Sequence, residues 1–276
     1  MNNLISRQKQ DALIKSFIWI SAFITVGVLA WILIYIISNG ISEISWDFLT
    51  NDAKGKNAGI FPMILNTLYL ILLSLAISTP IGVCSAIYLV EYAKAGKIVR
   101  VIRFATESLA AIPSIIYGLF GMIFFVIALK LNFSIVSGAI TLSMMVLPTI
   151  IRTTEEALKS VPNSYREGSL ALGASKLKTI LSIILPSAMP GIITAVILSI
   201  GRVVGETAAV YLTAGMVPRV AGSIMESGRT LSVHLYILAK EGISFQQADA
   251  TAFVLILIVS IINFIANKIA SRLKRI

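Results

Sequence analysis

An all-α, polytopic membrane protein with six transmembrane helices is the fold class this sequence predicts. Of its 276 residues, 57% are hydrophobic and 13% charged, at a mean hydropathy of +0.90, which is far more apolar than a soluble domain of this length. Apolar stretches of roughly 17 to 25 residues, long enough for a helix to cross about 30 Å of hydrocarbon, recur along the chain. Basic residues gather in alternate connections between those stretches, as orientation in a bilayer requires.

The predicted spans are residues 17–37, 65–90, 105–129, 135–151, 189–209 and 252–269. Residues 1–16 form a cytoplasmic N-terminus. A basic start before an apolar run can be a secretory signal, but this run of about 21 residues is too long for one. Pro80, Pro113, Pro148, Pro186 and Pro190 punctuate the spans. Membrane helices tolerate such kinks where neighbours satisfy the freed carbonyls. Between the last two spans, residues 214–242 hold Gly215, Pro218, Gly222, Gly228 and Gly242 and read as a structured external loop with a short helix over Leu231–Lys240. Ser244 followed by Gln247 matches a capping box that starts the last helix.

Orientation follows from charge. Arg7, Lys9 and Lys15 precede the first span, and Lys94, Lys97, Arg100 and Arg103 lie between the second and third. Arg152, Lys159, Arg166, Lys176 and Lys178 lie between the fourth and fifth, and Lys268, Arg272, Lys274 and Arg275 close the chain. The opposite loops carry only Lys54 and Lys56, then Lys130, then Arg219, Arg229 and Lys240. Both termini are therefore expected in the cytoplasm. The same segments account for the net charge of +10 without a nucleic-acid partner.

Cys84 is the single cysteine, so neither a disulfide framework nor a thiolate metal cluster is expected, and it reads as filler in a span. His234, the single histidine, reads as a surface residue of the external loop. No cluster of His, Cys or carboxylates has ligand spacing, so no metal site is expected. Glu107 lies four residues after Arg103, which suggests a local ion pair.

The connection at 152–186 is the most informative segment. Pro162 and Asn163 break the helix before them, and a new one can start at Asn163 or Ser164 and stop at Gly173, a residue able to adopt left-handed geometry. Ser175 can cap the next helix. Tyr165, Ser169 and Leu172 would share one side of this short cytoplasmic helix. On secondary structure alone it could equally be a simple connector. The spacing of Glu167-Gly168-Ser169, Gly173, Ile183, Leu185 and Pro186 resembles the EAA motif of bacterial ABC importer permeases, with Gly168 and Ser169 in place of two alanines. Both replacements are small, so close packing should survive. The resemblance implies a type I importer permease fold (MetI-like) over residues 60–270. It also implies that Glu167, Gly168, Ser169, Gly173, Leu185 and Pro186 couple to a separate ATPase subunit. The chain has no Gly-x-x-x-x-Gly-Lys-Ser/Thr phosphate loop, so ATP and Mg belong on that partner; no cofactor is expected on this chain, nor any catalytic residue.

Arg202 and Glu206 are charges within a predicted span, spaced four apart so that their side chains would share a helix face. Arg202 lies about 24 Å along a helix from Pro186, in the outer half of the membrane. Gly201 and Gly205 would let a neighbouring backbone approach the adjacent face. An internal ion pair is one reading; a transport path is the other, because intramembrane ionisable groups usually mark one. The planar fork of arginine suits a tetrahedral oxyanion.

Gly201-Arg202-Val203-Val204-Gly205-Glu206-Thr207 and Ile112 to Gly121, Ile-Pro-Ser-Ile-Ile-Tyr-Gly-Leu-Phe-Gly, are similar to signatures of phosphate transport system permeases. The alanine after Thr207 and the stretch at Leu231–Lys240 favour the A-type over the C-type subunit of such a pair. The resemblance implies a related permease partner, two ATPase subunits, an extracytoplasmic phosphate-binding protein and a bacterial inner-membrane location. Glu206 is expected to favour hydrogen phosphate, which can donate its proton to a carboxylate, over fully ionised sulfate, which cannot. Two rivals remain: a permease for molybdate or sulfate, and a gradient-driven anion carrier, which would have no need of an EAA-like loop.

Overall fold

The computed structural model describes residues 2–53, 59–94 and 96–273. Lys54, Lys56, Lys274 and Arg275, and the side chains of Arg7, Lys9 and Arg272, which enter the charge argument above, lie outside the described residues. The described structure is helical, with five helices long and apolar enough to cross a membrane and a bent pair that makes a sixth if its two halves are counted as one span.

Helix α1 (Asn2–Gly40) leads through a 3-10 turn at Ile41–Glu43 to the short α2 (Trp46–Thr50), which is capped by Ser45 accepting from the Phe48 amide. Side chains of the α1 span are exposed to their surroundings within this chain, and α1 meets the rest of the fold at α12 and the turn that follows it. Helix α3 (Phe61–Ile87) continues as a π-helical turn, Tyr88–Tyr92. Helix α6 (Ile135–Ser160) begins at Ser134, whose hydroxyl accepts from the Ser137 amide at 3.3 Å. It runs nine residues beyond the predicted end at 151 because its polar last turns still pair along the helix, Arg152 with Glu156 and Lys159 with Glu155.

The third span differs from its prediction. The expected continuous helix over 105–129 is instead α4 (Lys97–Ala110) followed by α5 (Ser114–Gly121) and a π-helical stretch, Met122–Ala128, with a bend of 100° between the two halves. Pro113 has no amide to continue α4 and sits in extended geometry, and the Tyr117 hydroxyl donates to the freed Leu109 carbonyl at 2.8 Å. Bending brings α4 against α6, so Arg103 pairs with Glu155 at 2.5 Å rather than with Glu107. Glu155 is buried and needs that partner.

The fifth span is also displaced from its predicted limits of 189–209. It starts at α8 (Lys176–Thr179), passes through a π-helical turn at Ile180–Ile184 and ends with α9 (Leu185–Val204). A break at 205–207 precedes α10 (Ala208–Thr213). Helix α11 (Leu231–Lys240) occupies the residues the sequence assigns to it, and α12 (Phe245–Leu273) follows, the Ser244 hydroxyl accepting from the Gln247 amide at 3.2 Å.

Helices α3, α6 and α9 form the centre, with α5 and α10 on one flank and α12 on another. The main buried cluster joins Leu70 of α3, Leu142, Met145 and Val146 of α6, Ile200 and Val203 of α9, Tyr117 of α5 and Val210 of α10. Asn66, fully buried on α3, secures the loop before α11. Its amide donates to the carbonyls of Arg219 at 2.8 Å and Arg229 at 3.2 Å, and its oxygen accepts from the Ala221 amide at 3.0 Å. Asn66→Leu leaves the buried Ala221 amide and two part-buried carbonyls without their partner and is expected to cost about 2 kcal/mol. Thermal melting in detergent checks this, with faster proteolysis within 214–230; an unchanged melt would refute it.

Candidate functional site

Two regions carry the chemistry, the loop between α6 and α9 and the break after α9. In the loop, α6 stops at Val161 because Pro162 disfavours helical geometry in the residue before it. Helix α7 (Asn163–Ala171) starts where expected and ends two residues before Gly173. Gly173 has φ +82°, its amide donates to the Leu170 carbonyl and the Ala174 amide to that of Ser169, which is a Schellman closure. Ser175 caps α8, accepting from the Lys178 amide at 3.3 Å.

The predicted common face of Tyr165, Ser169 and Leu172 does not form. Ser169 turns inward, its hydroxyl 2.9 Å from that of Thr179, while Tyr165 is exposed and Leu172 lies beyond the helix end, 91% exposed. Nor is Gly168 a close-packed position within this chain, since a Cβ there would meet nothing within 4 Å. Glu167, Gly168 and Gly173 therefore present an open surface, and Ser169 is the position that packs. Leu185 and Pro186 begin α9 directly after the π turn. A wider turn there suits a proline that offers no amide to the preceding helix.

Ion pairs that the sequence did not reveal hold this loop. Arg166 of α7 pairs with Glu91 at the end of α3 at 2.8 Å, both side chains largely buried. The available signal was a lone glutamate closing an apolar run. Arg103 and Lys159 flank Glu155 nearby.

At the second region, the helix shared by Arg202 and Glu206 ends between them. Helix α9 stops at Val204, and the Glu206 amide donates to the Val203 carbonyl at 3.2 Å. Glu206 Oε1 accepts from the Ala209 amide at 3.1 Å, so the carboxylate closes the start of α10. Among the described residues no ion pair joins Arg202 to Glu206, and the half-buried Arg202 guanidinium has no hydrogen-bond partner. Gly201 and Gly205 do not admit a neighbouring backbone of this chain: a Cβ at Gly201 would meet nothing within 4 Å, and at Gly205 only the carbonyl of Gly201. The close approach occurs at Gly118 instead, where a Cβ would lie 2.8 Å from the Cα of Ala209. This seats α10 on α5 and joins the two sequence signatures. Ser232, in the first turn of α11, donates to the Glu206 carbonyl at 2.8 Å. His234 is not a free surface residue: it is partly buried, 3.4 Å from Arg229, and burial together with that charge lowers its pKa to about 4, keeping it neutral at pH 7. Among the described residues no group of three or more His, Cys, Asp or Glu is placed to hold a metal.

Helices interrupted beside an arginine that forms no ion pair among the described residues, in a chain of five or six spans with a short loop helix before α9, describe a membrane transport subunit of the type I permease class. The chain belongs to the family of binding-protein-dependent transport system inner membrane components, whose model matches residues 78–275. It is 34% identical to the probable ABC transporter permease protein YqgI of Bacillus subtilis (strain 168), over 94% of each chain. It is 32% identical to phosphate transport system permease protein PstA 1 of Mycobacterium tuberculosis (strain ATCC 25618 / H37Rv), over 99% of this chain and 92% of that one. Its fold is shared with a bacterial alginate ABC transporter solved in complex with a periplasmic protein, at TM-score 0.72 and 16% identity over 96% of each chain. The MetNI methionine ABC transporter superposes at TM-score 0.59, with 19% identity over 87% of this chain and 97% of that one.

Proposed function

We propose that this chain is the PstA-type permease subunit of an ATP-driven importer of inorganic phosphate. It would pair with a PstC-type permease, rest on two PstB-type ATPase subunits that bind ATP and Mg, and receive phosphate from an extracytoplasmic PstS-type protein. Both termini would be cytoplasmic. The observation that carries this reading is the Arg202 guanidinium, which among the described residues makes no hydrogen bond or ion pair and lies close enough to Tyr117 for its charge to act on that hydroxyl, beside a helix break, in a chain similar over nearly its whole length to a phosphate permease. Non-helical backbone at membrane depth is tolerated where it lines a cavity.

Arg202 would take two phosphate oxygens with its planar donors. Glu206 uses Oε1 on the Ala209 amide, which leaves Oε2 to accept the proton of hydrogen phosphate. The open face at Glu167, Gly168 and Gly173 supports ATPase coupling there, with Ser169, Leu185 and Pro186 shaping the loop behind it.

Labelled phosphate uptake into vesicles tests this: uptake should require ATP and the co-expressed partners. Uptake by this chain alone, sustained by an ion gradient, would overturn it in favour of a secondary carrier, and preference for molybdate or sulfate would overturn the substrate. Glu206→Gln places an amide donor where sulfate can use it, so the phosphate-to-sulfate uptake ratio is expected to fall about tenfold. An unchanged ratio would remove Glu206 from selectivity.

A further inference from the structure

The end of α3, the end of α6 and the start of α7 meet at one side chain. Arg166 directs Nε at 3.0 Å and Nη2 at 2.8 Å to a single oxygen, Oε1 of Glu91. Its remaining donors reach the Leu158 carbonyl at 2.9 Å, the Val161 carbonyl at 2.8 Å and Asn163 Oδ1 at 3.4 Å. Leu158 belongs to the last turn of α6, whose carbonyls have no helical partner. Glu91 lies in the π turn that ends α3. Two more ties reinforce the junction. Lys176 of α8 donates to the Glu91 main-chain carbonyl and sits over the Tyr92 ring at 4.9 Å, and the hydroxyls of Ser169 and Thr179 bridge α7 to α8.

Most loop arginines are solvated. This one is 18% exposed and its carboxylate partner 8%, and the planar guanidinium uses its donors on three separate segments, a geometry lysine cannot reproduce. Buried and hydrogen-bonded on all sides, such a junction resists bending, because opening it strands a charge away from water.

We propose that Arg166, through Glu91, is a positioning residue that makes α7 a rigid extension of α3 and α6, so that movement imposed on α7 is delivered to the spans instead of being absorbed in the loop. The inference rests on the proposed coupling of α7 to an ATPase. It differs from docking, since Arg166 faces inward while Glu167 and Gly168 face out. Loosening the junction should leave hydrolysis running and waste it.

The test uses the complete importer, both permeases with the ATPase subunits and binding protein, in proteoliposomes, measuring ATP hydrolysis and labelled phosphate uptake together. Glu91→Ala and Arg166→Lys are expected to lower phosphate moved per ATP about tenfold, with hydrolysis within about twofold of the parent and the subunits still co-purifying. Glu91→Gln, which keeps an acceptor at the same atom, is expected to retain more than half of the parent ratio. A second measurement does not depend on breaking the junction. In a Cys84→Ser background, spin labels at Tyr88→Cys and Leu172→Cys, both exposed positions, should keep one separation in nucleotide-free and ATP-bound states. A ratio unchanged in Glu91→Ala and Arg166→Lys, hydrolysis and uptake falling in parallel, or a label separation that changes with nucleotide would overturn the inference alone. Failure of the unmodified complex to take up phosphate with ATP would overturn the proposed function and this inference with it.

Discussion

Phosphate uptake by the assembled importer is expected to fall by about a hundredfold or more in Arg202→Gln, while the protein still folds and co-purifies with its partners. The two halves of that expectation have separate causes. Among the described residues the Arg202 side chain makes no hydrogen bond or ion pair, so its loss breaks no such tie of this chain and removes only its charge from beside Tyr117. A dianion crossing low-dielectric surroundings, by contrast, loses its charged partner, and removing one member of such a pair costs roughly 3 to 5 kcal/mol. Arg202→Lys keeps the charge and loses the two-pronged donor geometry, so an intermediate loss of about tenfold is expected. The check is labelled phosphate uptake in vesicles normalised to permease recovered with the complex. Uptake within threefold of the parent would take Arg202 out of the pathway.

Gly118→Val is expected to lose both stability and transport. A Cβ at Gly118 would stand 2.8 Å from the Cα of Ala209 and 3.3 Å from the carbonyl oxygen of Ala208, both backbone atoms that cannot rotate away. Valine adds two further methyl groups to that gap. Overpacking of this kind costs about 1 to 3 kcal/mol, more where backbone must shift. The displaced element is α10, whose start is closed by the Glu206 carboxylate, so the change reaches the proposed anion site as well as the fold. Thermal melting in detergent should drop by several degrees and uptake should be lost with it. Gly201→Ala is the matched control, because a Cβ there meets nothing within 4 Å. It should melt at or slightly above the parent temperature, since alanine is the better helix former. Equal melting of Gly118→Val and the parent would show that α5 and α10 can separate without cost.

Much of the loop between α6 and α9 was legible in the chain because its signals are local. Pro162 ends one helix, Gly173 in left-handed geometry ends the next and Ser175 starts the third, each through constraints of its own backbone. Which way Ser169 faces was not legible, since a nine-residue helix offers little periodicity and the decision rests on Thr179 of another helix. The candidate anion site was half legible. Arg202, Glu206 and the flanking glycines identify themselves as charges and small residues in an apolar run. That α9 stops at Val204 and leaves Glu206 in a break depends on α10 seating against Gly118, a contact between segments about ninety residues apart.

By itself, the sequence determined that the chain is helical and crosses a membrane about six times, that a short capped helix separates the fourth and fifth spans, and that unusual charges lie near the end of the fifth. Hydrophobicity, proline, glycine and capping residues act within a few positions of themselves, so these features need no knowledge of the rest of the molecule. Only the tertiary structure decided the 100° bend of the third span, the exchange of Glu107 for Glu155 as the partner of Arg103, the burial of Asn66 and the joining of Glu91 to Arg166. Each settles where a desolvated polar group finds its partner, and that partner is fixed by which helices lie side by side rather than by the residues next to it in the chain.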